Sequence, residues 1–336
     1  MKTIKNIKKN SIIILLVTLI ILYILLKDNF SEIVKTLATM NLFFVAVAIL
    51  FYFIYIVLRA YIIYKSVDDK KKLTFKEAIK HNIITQFFNG ITPFSTGGQP
   101  MEVYMLTEHN ISIAKATSVT IINFIFYQTA LVIYGIIVVI YNMIFNLFPK
   151  ATMLNNLVTL GFIVNILVIV VLYIVTLSKK ITKKTLNSII NILYRFKIVK
   201  NKEKQKERFE QKLDDFHDSA KILRKNRRLF IEGILINFLS LSFFYAIPLF
   251  IACGFNDFTS LNLLQAITAS VYIYIMGSFV PIPGASGGIE YGFIKFFGNF
   301  FKTVSLNTLL LVWRFITYYL GMIVGAILLS IEKKGD

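Results

Sequence analysis

The hydrophobic residues of this chain fall into long runs, and the runs set its architecture. Ile12 to Leu26 is apolar apart from Thr18. Leu42 to Tyr64, Ala116 to Phe145, Leu157 to Leu177, Leu229 to Cys253 and Leu306 to Ile331 follow, each long enough to cross a bilayer as a helix. Two further apolar stretches are interrupted. Ile84 to Leu106 breaks after Asn89-Gly90, and the segment that follows, Glu102 to Lys115, carries too much charge to cross. Leu263 to Val280 runs inward, breaks over Pro281 to Tyr291 and returns through Gly292 to Phe301. The pattern predicts an all-α polytopic membrane protein with about six full transmembrane helices plus two broken re-entrant hairpins. Span, broken hairpin and span occur twice, over residues 42–145 and 229–331, with opposite topology. That is an inverted repeat inside a single transmembrane domain covering residues 1–336.

Charge fixes the orientation. Lys2, Lys5, Lys8 and Lys9 precede the first run, and Lys27-Asp28-Asn29-Phe30 follows it without a small-residue cleavage site. The run therefore reads as an uncleaved span and not as a signal peptide. Segments between Ser178 and Arg228 hold 17 Lys/Arg against 6 Asp/Glu, whereas the opposite loops hold Lys27, Lys35 and Lys150. Basic residues gather on the cytoplasmic side, so both termini are expected there, in the cell membrane. Residues 178–228 form a basic loop with two apolar stripes at helical spacing: Leu186, Ile189, Ile190, Leu193 and Phe196, then Phe209, Leu213, Phe216, Ala220 and Leu223. It reads either as amphipathic helices on an anionic leaflet or as a solvated helical hairpin.

The two breaks share one phrase. Pro93-Phe94-Ser95-Thr96-Gly97-Gly98 leads to Glu102 and Tyr104; Pro283-Gly284-Ala285-Ser286-Gly287-Gly288 leads to Glu290 and Tyr291. Proline removes a backbone donor and paired glycines release the chain from helical geometry. Such breaks survive at membrane depth only inside protein or beside a watery cavity. Matching breaks in two halves point to a substrate site where the repeats meet. The plainer reading is two polar turns at the membrane surface.

Composition narrows the chemistry. The chain is 56% hydrophobic and only 16% charged, where soluble domains hold about a quarter charged residues. Its net charge of +19 is placed as a cytoplasmic membrane surface and not as a nucleic-acid interface. Cys253 stands alone, so no internal disulfide forms, and His81, His109 and His217 fall in no metal-ligand spacing. No Walker loop, dinucleotide fingerprint or Ser/His/Asp arrangement is present. No cofactor, metal or catalytic residue is expected. Direct nucleic-acid binding is not expected either.

The candidate substrate-binding residues are Ser95, Thr96, Gly97, Gly98, Glu102, Tyr104, Ser286, Gly287, Gly288, Glu290, Tyr291 and Arg314. Glu102 and Glu290 look like repeat-related carboxylates, suited to a cation, to a transported proton or to capping the returning half-helix. Arg314 lies eight residues into the last run, roughly 12 Å deep at 1.5 Å per residue. It needs a partner: Glu290 or a lipid phosphate. The hydroxyls and amides around the Gly-Gly pairs would either cradle an anion or repair the broken backbone. Tyr104, Tyr291, Tyr318 and Tyr319 would line a headgroup cavity or simply pack. Arg59 reads as an interfacial anchor, and His81 and His109 as interfacial residues.

Asn89-Gly90-Ile91-Thr92-Pro93-Phe94-Ser95-Thr96-Gly97-Gly98-Gln99-Pro100 and Pro281-Ile282-Pro283-Gly284-Ala285-Ser286-Gly287-Gly288-Ile289-Glu290 resemble the two signature loops of the lysylphosphatidylglycerol synthase transmembrane family. This is the flippase-like domain of the multiple peptide resistance factor, and the likeness spans about residues 10 to 332. It implies a multi-pass inner-membrane protein linked to aminoacylated or glycosylated lipids and to resistance against cationic peptides. Some branches of the family carry an arginine-bearing Pro-x-Arg-x-Gly-Glu in the first loop, where this chain has Ser-Thr-Gly-Gly-Gln-Pro, so headgroup preference does not transfer. The full resistance factor adds a soluble aminoacyl-transferase domain using lysyl-tRNA, whereas Asp336 follows the last run by five residues. The expected function is a lipid translocase handling anionic or aminoacylated phospholipid headgroups, and not an enzyme on its own. One alternative is the membrane module of a phosphatidylglycerol lysyltransferase, working with a separate soluble aminoacyl-transferase. Another is a proton-coupled small-solute transporter.

Overall fold

The computed structural model describes residues 30–69, 72–148, 152–195, 202–278 and 280–332. The expected first span, Ile12 to Leu26, lies outside the described residues, as do Lys150 and Lys333-Lys334. Among the described residues the fold is all-helical, with five helices long and apolar enough to cross a membrane.

A short helix α1 (Phe30–Thr39) precedes the first repeat-like unit. That unit is α2 (Leu42–Val67), α3 (Phe75–Ile91), a 3-10 turn (Pro93–Ser95), α4 (Gly98–Glu108) and α5 (Ile113–Phe145). The second is α9 (Arg227–Cys253), α10 (Leu263–Gly277), a 3-10 turn (Pro283–Ala285), α11 (Gly288–Phe297) and a last span. That span is built from α12 (Thr303–Arg314), a π-helical turn (Phe315–Tyr319) and α13 (Leu320–Glu332). Between the units lie α6 (Thr152–Leu177), α7 (Lys179–Arg195) and α8 (Lys202–Lys225). Two crossings, α5 and α6, separate α2 from α9, so α2 and α9 run in opposite senses, and they pack along each other at the centre.

The likeness of the units reaches single bonds. Each inward arm starts with a capping box, in which the cap side chain and the residue three on bond each other's backbone N–H. Thr74 and Glu77 do this for α3, Asn262 and Gln265 for α10. Eight residues past each cap, a buried side chain ties the arm to the neighbouring span. Asn82 Nδ2 donates to Ile56 O at 2.8 Å, and Ser270 Oγ donates to Tyr245 O at 3.1 Å. Both arms stop at the repeated phrase and turn back, so neither hairpin crosses.

The hydrophobic core runs between the two units, through Tyr52, Tyr55, Tyr245, Phe293 and Trp313. Outward-facing Leu160, Leu167 and Val171 on α6 are exposed, as a lipid-facing flank should be. The basic loop behaves differently from a leaflet-bound stripe. Phe216, Ala220 and Leu223 of α8 are buried against the bundle, where Ser118 Oγ donates to Phe216 O at 3.0 Å. Lys179–Asp214 and Lys183–Glu210 ion pairs, at 2.8 and 3.0 Å, join α7 to α8.

Close approach of α13 to α3 rests on glycine. A Cβ at Gly325 would lie 2.7 Å from Ile83 O, a backbone atom that cannot step aside. Small residues four apart, here Gly321 and Gly325, let helices pack closely where water exclusion cannot drive them together. Gly325→Val is expected to cost about 1–3 kcal/mol by overpacking. Thermal unfolding in detergent measures it; an unchanged melting temperature would contradict the close contact.

Candidate functional site

The two turns pack against each other, and α3 reaches the second turn. They are built alike. Phe94 and Ser95 take φ of 54° and 53°, and Gly284 and Ala285 take 62° and 51°. A non-glycine residue in this region costs on the order of 1–3 kcal/mol, so the surrounding packing imposes the shape. Thr96 Oγ1 donates to Pro93 O at 3.0 Å, and Ser286 Oγ donates to Pro283 O at 3.1 Å. These equivalent hydroxyls bond the backbone their own break loosens, while Ser95 is exposed.

The amides are satisfied by different means. In the first turn Gly97 N–H donates to Thr92 Oγ1 at 2.8 Å, and Gly98 N–H to Asn89 Oδ1 at 2.9 Å. A Cβ at Gly98 would strike the Asn89 side chain. In the second turn Gly287 N–H donates to Glu290 Oε2 at 2.6 Å. Neutral side chains cap the first break; a carboxylate caps the second.

That carboxylate brings Arg314 with it. Arg314 and Glu290 are 2% and 1% exposed. Arg314 Nε donates to Glu290 Oε1 at 2.7 Å, Nη2 reaches the same oxygen at 2.5 Å, and Nη2 also donates to Gly284 O at 3.1 Å. The guanidinium faces the Tyr318 ring at 4.8 Å, and Tyr318 Oη donates to Gly90 O at 2.9 Å, at the end of the first hairpin's inward arm. One side-chain chain thus spans both breaks. It starts the π-helical turn, a feature frequent where a helix carries function.

Glu102 and Glu290 are not register partners. Glu290 stands three residues past Gly287, where the first copy has Pro100; Glu102 aligns with Gly292. Two residues are about 200° of helix, so the two acids leave opposite faces. Glu102 turns away from its own Gly-Gly pair into a separate cleft. The cleft holds about 430 Å³ of non-atom space, its open mouth included, and is lined by Arg59, Asn89, Gln99, Glu102, Asn123 and Asn237 among others. Glu102 is 7% exposed and its Oε1 is buried without a hydrogen-bond partner.

Arg59 is part of this cleft and not an interfacial anchor. Its Nη1 donates to Tyr55 Oη at 2.8 Å and its guanidinium faces the Tyr127 ring at 4.9 Å. Arg59, Asn89, Asn123 and Asn237 were missed as site residues; the signal was one basic and three amide side chains among aliphatic and aromatic neighbours. His81 and His109, 28 residues apart, meet with their Nε2 atoms 3.2 Å apart across α3 and the end of α4. Tyr104 and Tyr291 are 56% and 51% exposed, away from both sites, and Lys295 lies over the Tyr291 ring at 5.6 Å. Among the described residues no group of three or more His, Cys, Asp or Glu could hold a metal ion.

The family described as the lysylphosphatidylglycerol synthase TM region matches residues 11–325. A UPF0104 membrane protein of Archaeoglobus fulgidus is 25% identical over 265 residues, covering 76% of each chain.

Removing one partner of a buried pair strands the other charge. Glu290→Ala is therefore expected to destabilise by about 3–5 kcal/mol, and Glu290→Ala with Arg314→Leu to recover part of that loss. A double-mutant cycle on denaturant unfolding reads the coupling; strictly additive losses would show that the two groups do not depend on each other.

Proposed function

The chain belongs to the lysylphosphatidylglycerol synthase transmembrane family, and from that membership we propose that it is a lipid translocase. It moves an anionic or aminoacylated phospholipid headgroup between the leaflets of the cell membrane and contributes to resistance against cationic peptides. Both termini lie in the cytoplasm, on the side of the lysine-rich segments.

The observation that carries the reading is the buried Arg314–Glu290 pair where the two broken hairpins meet. A guanidinium is a planar fork that matches carboxylate and phosphate alike. A phosphate arriving at the pair can take the place of Glu290 on Arg314, so the charge is never bare in the apolar bundle. Glu290 keeps its bond to Gly287 N–H during the exchange, which holds the second turn in shape. The headgroup is thereby passed between two satisfied arrangements of one arginine.

The family's description favours a second reading, in which the chain is the membrane module of a phosphatidylglycerol lysyltransferase and docks a soluble aminoacyl-transferase. Lysyl-lipid made from lysyl-tRNA only when the purified chain is combined with a soluble aminoacyl-transferase would favour that reading.

The test of the translocase is a leaflet-resolved lipid assay in vesicles of defined composition. Arg314→Ala is expected to abolish lipid movement while the protein still inserts. Arg314→Lys should rescue poorly, because a point charge lacks the two-pronged fork. Wild-type rates in well-folded Arg314→Ala protein would remove Arg314 from the mechanism.

A further inference from the structure

The two halves share a backbone but not a charge pattern, and the difference lies in the Glu102 cleft. Glu290 is ion-paired directly with Arg314, whereas Glu102 shares a cleft with Arg59 without a direct ion pair. Both line one cleft, yet no carboxylate lies within 4 Å of Arg59 among the described residues, because Tyr55 and Tyr127 hold its guanidinium aside. A buried carboxylate oxygen without a partner is costly, by several times the net worth of an ordinary hydrogen bond. Its persistence beside an open mouth argues that a ligand completes it.

The lining says which ligand. Asn123 Nδ2 donates to Val119 O at 2.9 Å and Asn237 Nδ2 to Gly233 O at 2.8 Å. Each asparagine thus commits one of its two amide N–H donors to its own helix, and Asn123 Oδ1 accepts from Ser66 Oγ at 3.4 Å, so both amides keep a donor and acceptor capacity for a polar ligand. The lining holds polar side chains of both kinds, and the carboxylate of Glu102 is its anionic group, which suits a cation with several N–H donors. An –NH3+ group brings three N–H donors to that carboxylate; a trimethylammonium group brings none. Arg59, at the same cleft and not in direct ion contact with Glu102, provides for a phosphate next to the ammonium.

Resting on the translocase reading, we propose that Arg59 and Glu102 form a headgroup subsite for a primary ammonium beside a phosphate. Phosphatidylethanolamine has this chemistry. Phosphatidylglycerol lacks the ammonium, and phosphatidylcholine has one without N–H donors. Glu102 takes the ammonium and Arg59 the phosphate, and the methylated group has no N–H to give the carboxylate.

The experiment is native mass spectrometry of lipid retained on purified full chain, from mixed phosphatidylglycerol, phosphatidylethanolamine and phosphatidylcholine. Wild type is expected to retain phosphatidylethanolamine about tenfold over phosphatidylcholine, and Glu102→Gln to lose about tenfold with phosphatidylglycerol retention unchanged. Glu102→Asp should keep part of the preference. A merely structural carboxylate would instead lower the melting temperature on Glu102→Gln without changing the lipid ranking, and that result overturns the subsite. Equal retention of the two zwitterionic lipids shows that Glu102 does not read the ammonium N–H groups and overturns the proposal. Dissolved phosphoethanolamine displacing the lipid at equal concentration would show a free-solute site and sink the lipid assignment. If phosphatidylethanolamine is retained through Glu102 yet does not move between leaflets, the translocase reading fails and the subsite stands.

Discussion

A helix that stops inside an apolar bundle leaves amides and carbonyls that neither lipid nor water can satisfy. Everything distinctive in this structure follows from how two such breaks are repaired. Each uses a hydroxyl three residues past its proline, and each holds two residues in the left-handed region. The first break then recruits the neutral side chains of Thr92 and Asn89. The second recruits Glu290, and a buried charge cannot stand alone. Arg314 supplies the counter-charge, Gly284 O takes one of its remaining donors, and Tyr318 covers its face while bonding the other hairpin.

Much of this was legible in the sequence. The apolar runs gave the five described spans within a few residues, and the Pro-x-x-Ser/Thr-Gly-Gly phrase located both breaks and their hairpins. Hydropathy reports depth, and depth alone required a partner for Arg314. Face is harder. Glu102 and Glu290 each follow a Gly-Gly pair closely, so they look equivalent until their offsets, four and two residues past the second glycine, are laid on a helix. That small difference reverses the direction in which the side chain leaves.

Arg59 was misread for a related reason. Near the end of an apolar run an arginine ordinarily reaches for the interface, and the run itself gives no hint that Tyr55, one turn earlier, and Tyr127, on another span, will retain it. The histidines show the same limit over a longer range. Twenty-eight residues lie between His81 and His109, and only the return of the hairpin brings them together. In each case the missing information was long-range packing, which a single sequence does not carry in its local pattern.

An inverted repeat with identical halves would have two arrangements of equal energy, one for each side of the membrane, and nothing to prefer either. Here the halves agree in backbone and differ in charge. One acid is capped, paired and closed; the other faces a polar cleft with one oxygen lacking a hydrogen-bond partner. Any ligand that contacts the second more favourably than the first can shift the balance between the two arrangements only by that difference in affinity. The asymmetry of two glutamates, set by a two-residue offset in otherwise matching hairpins, is what gives such a difference somewhere to arise.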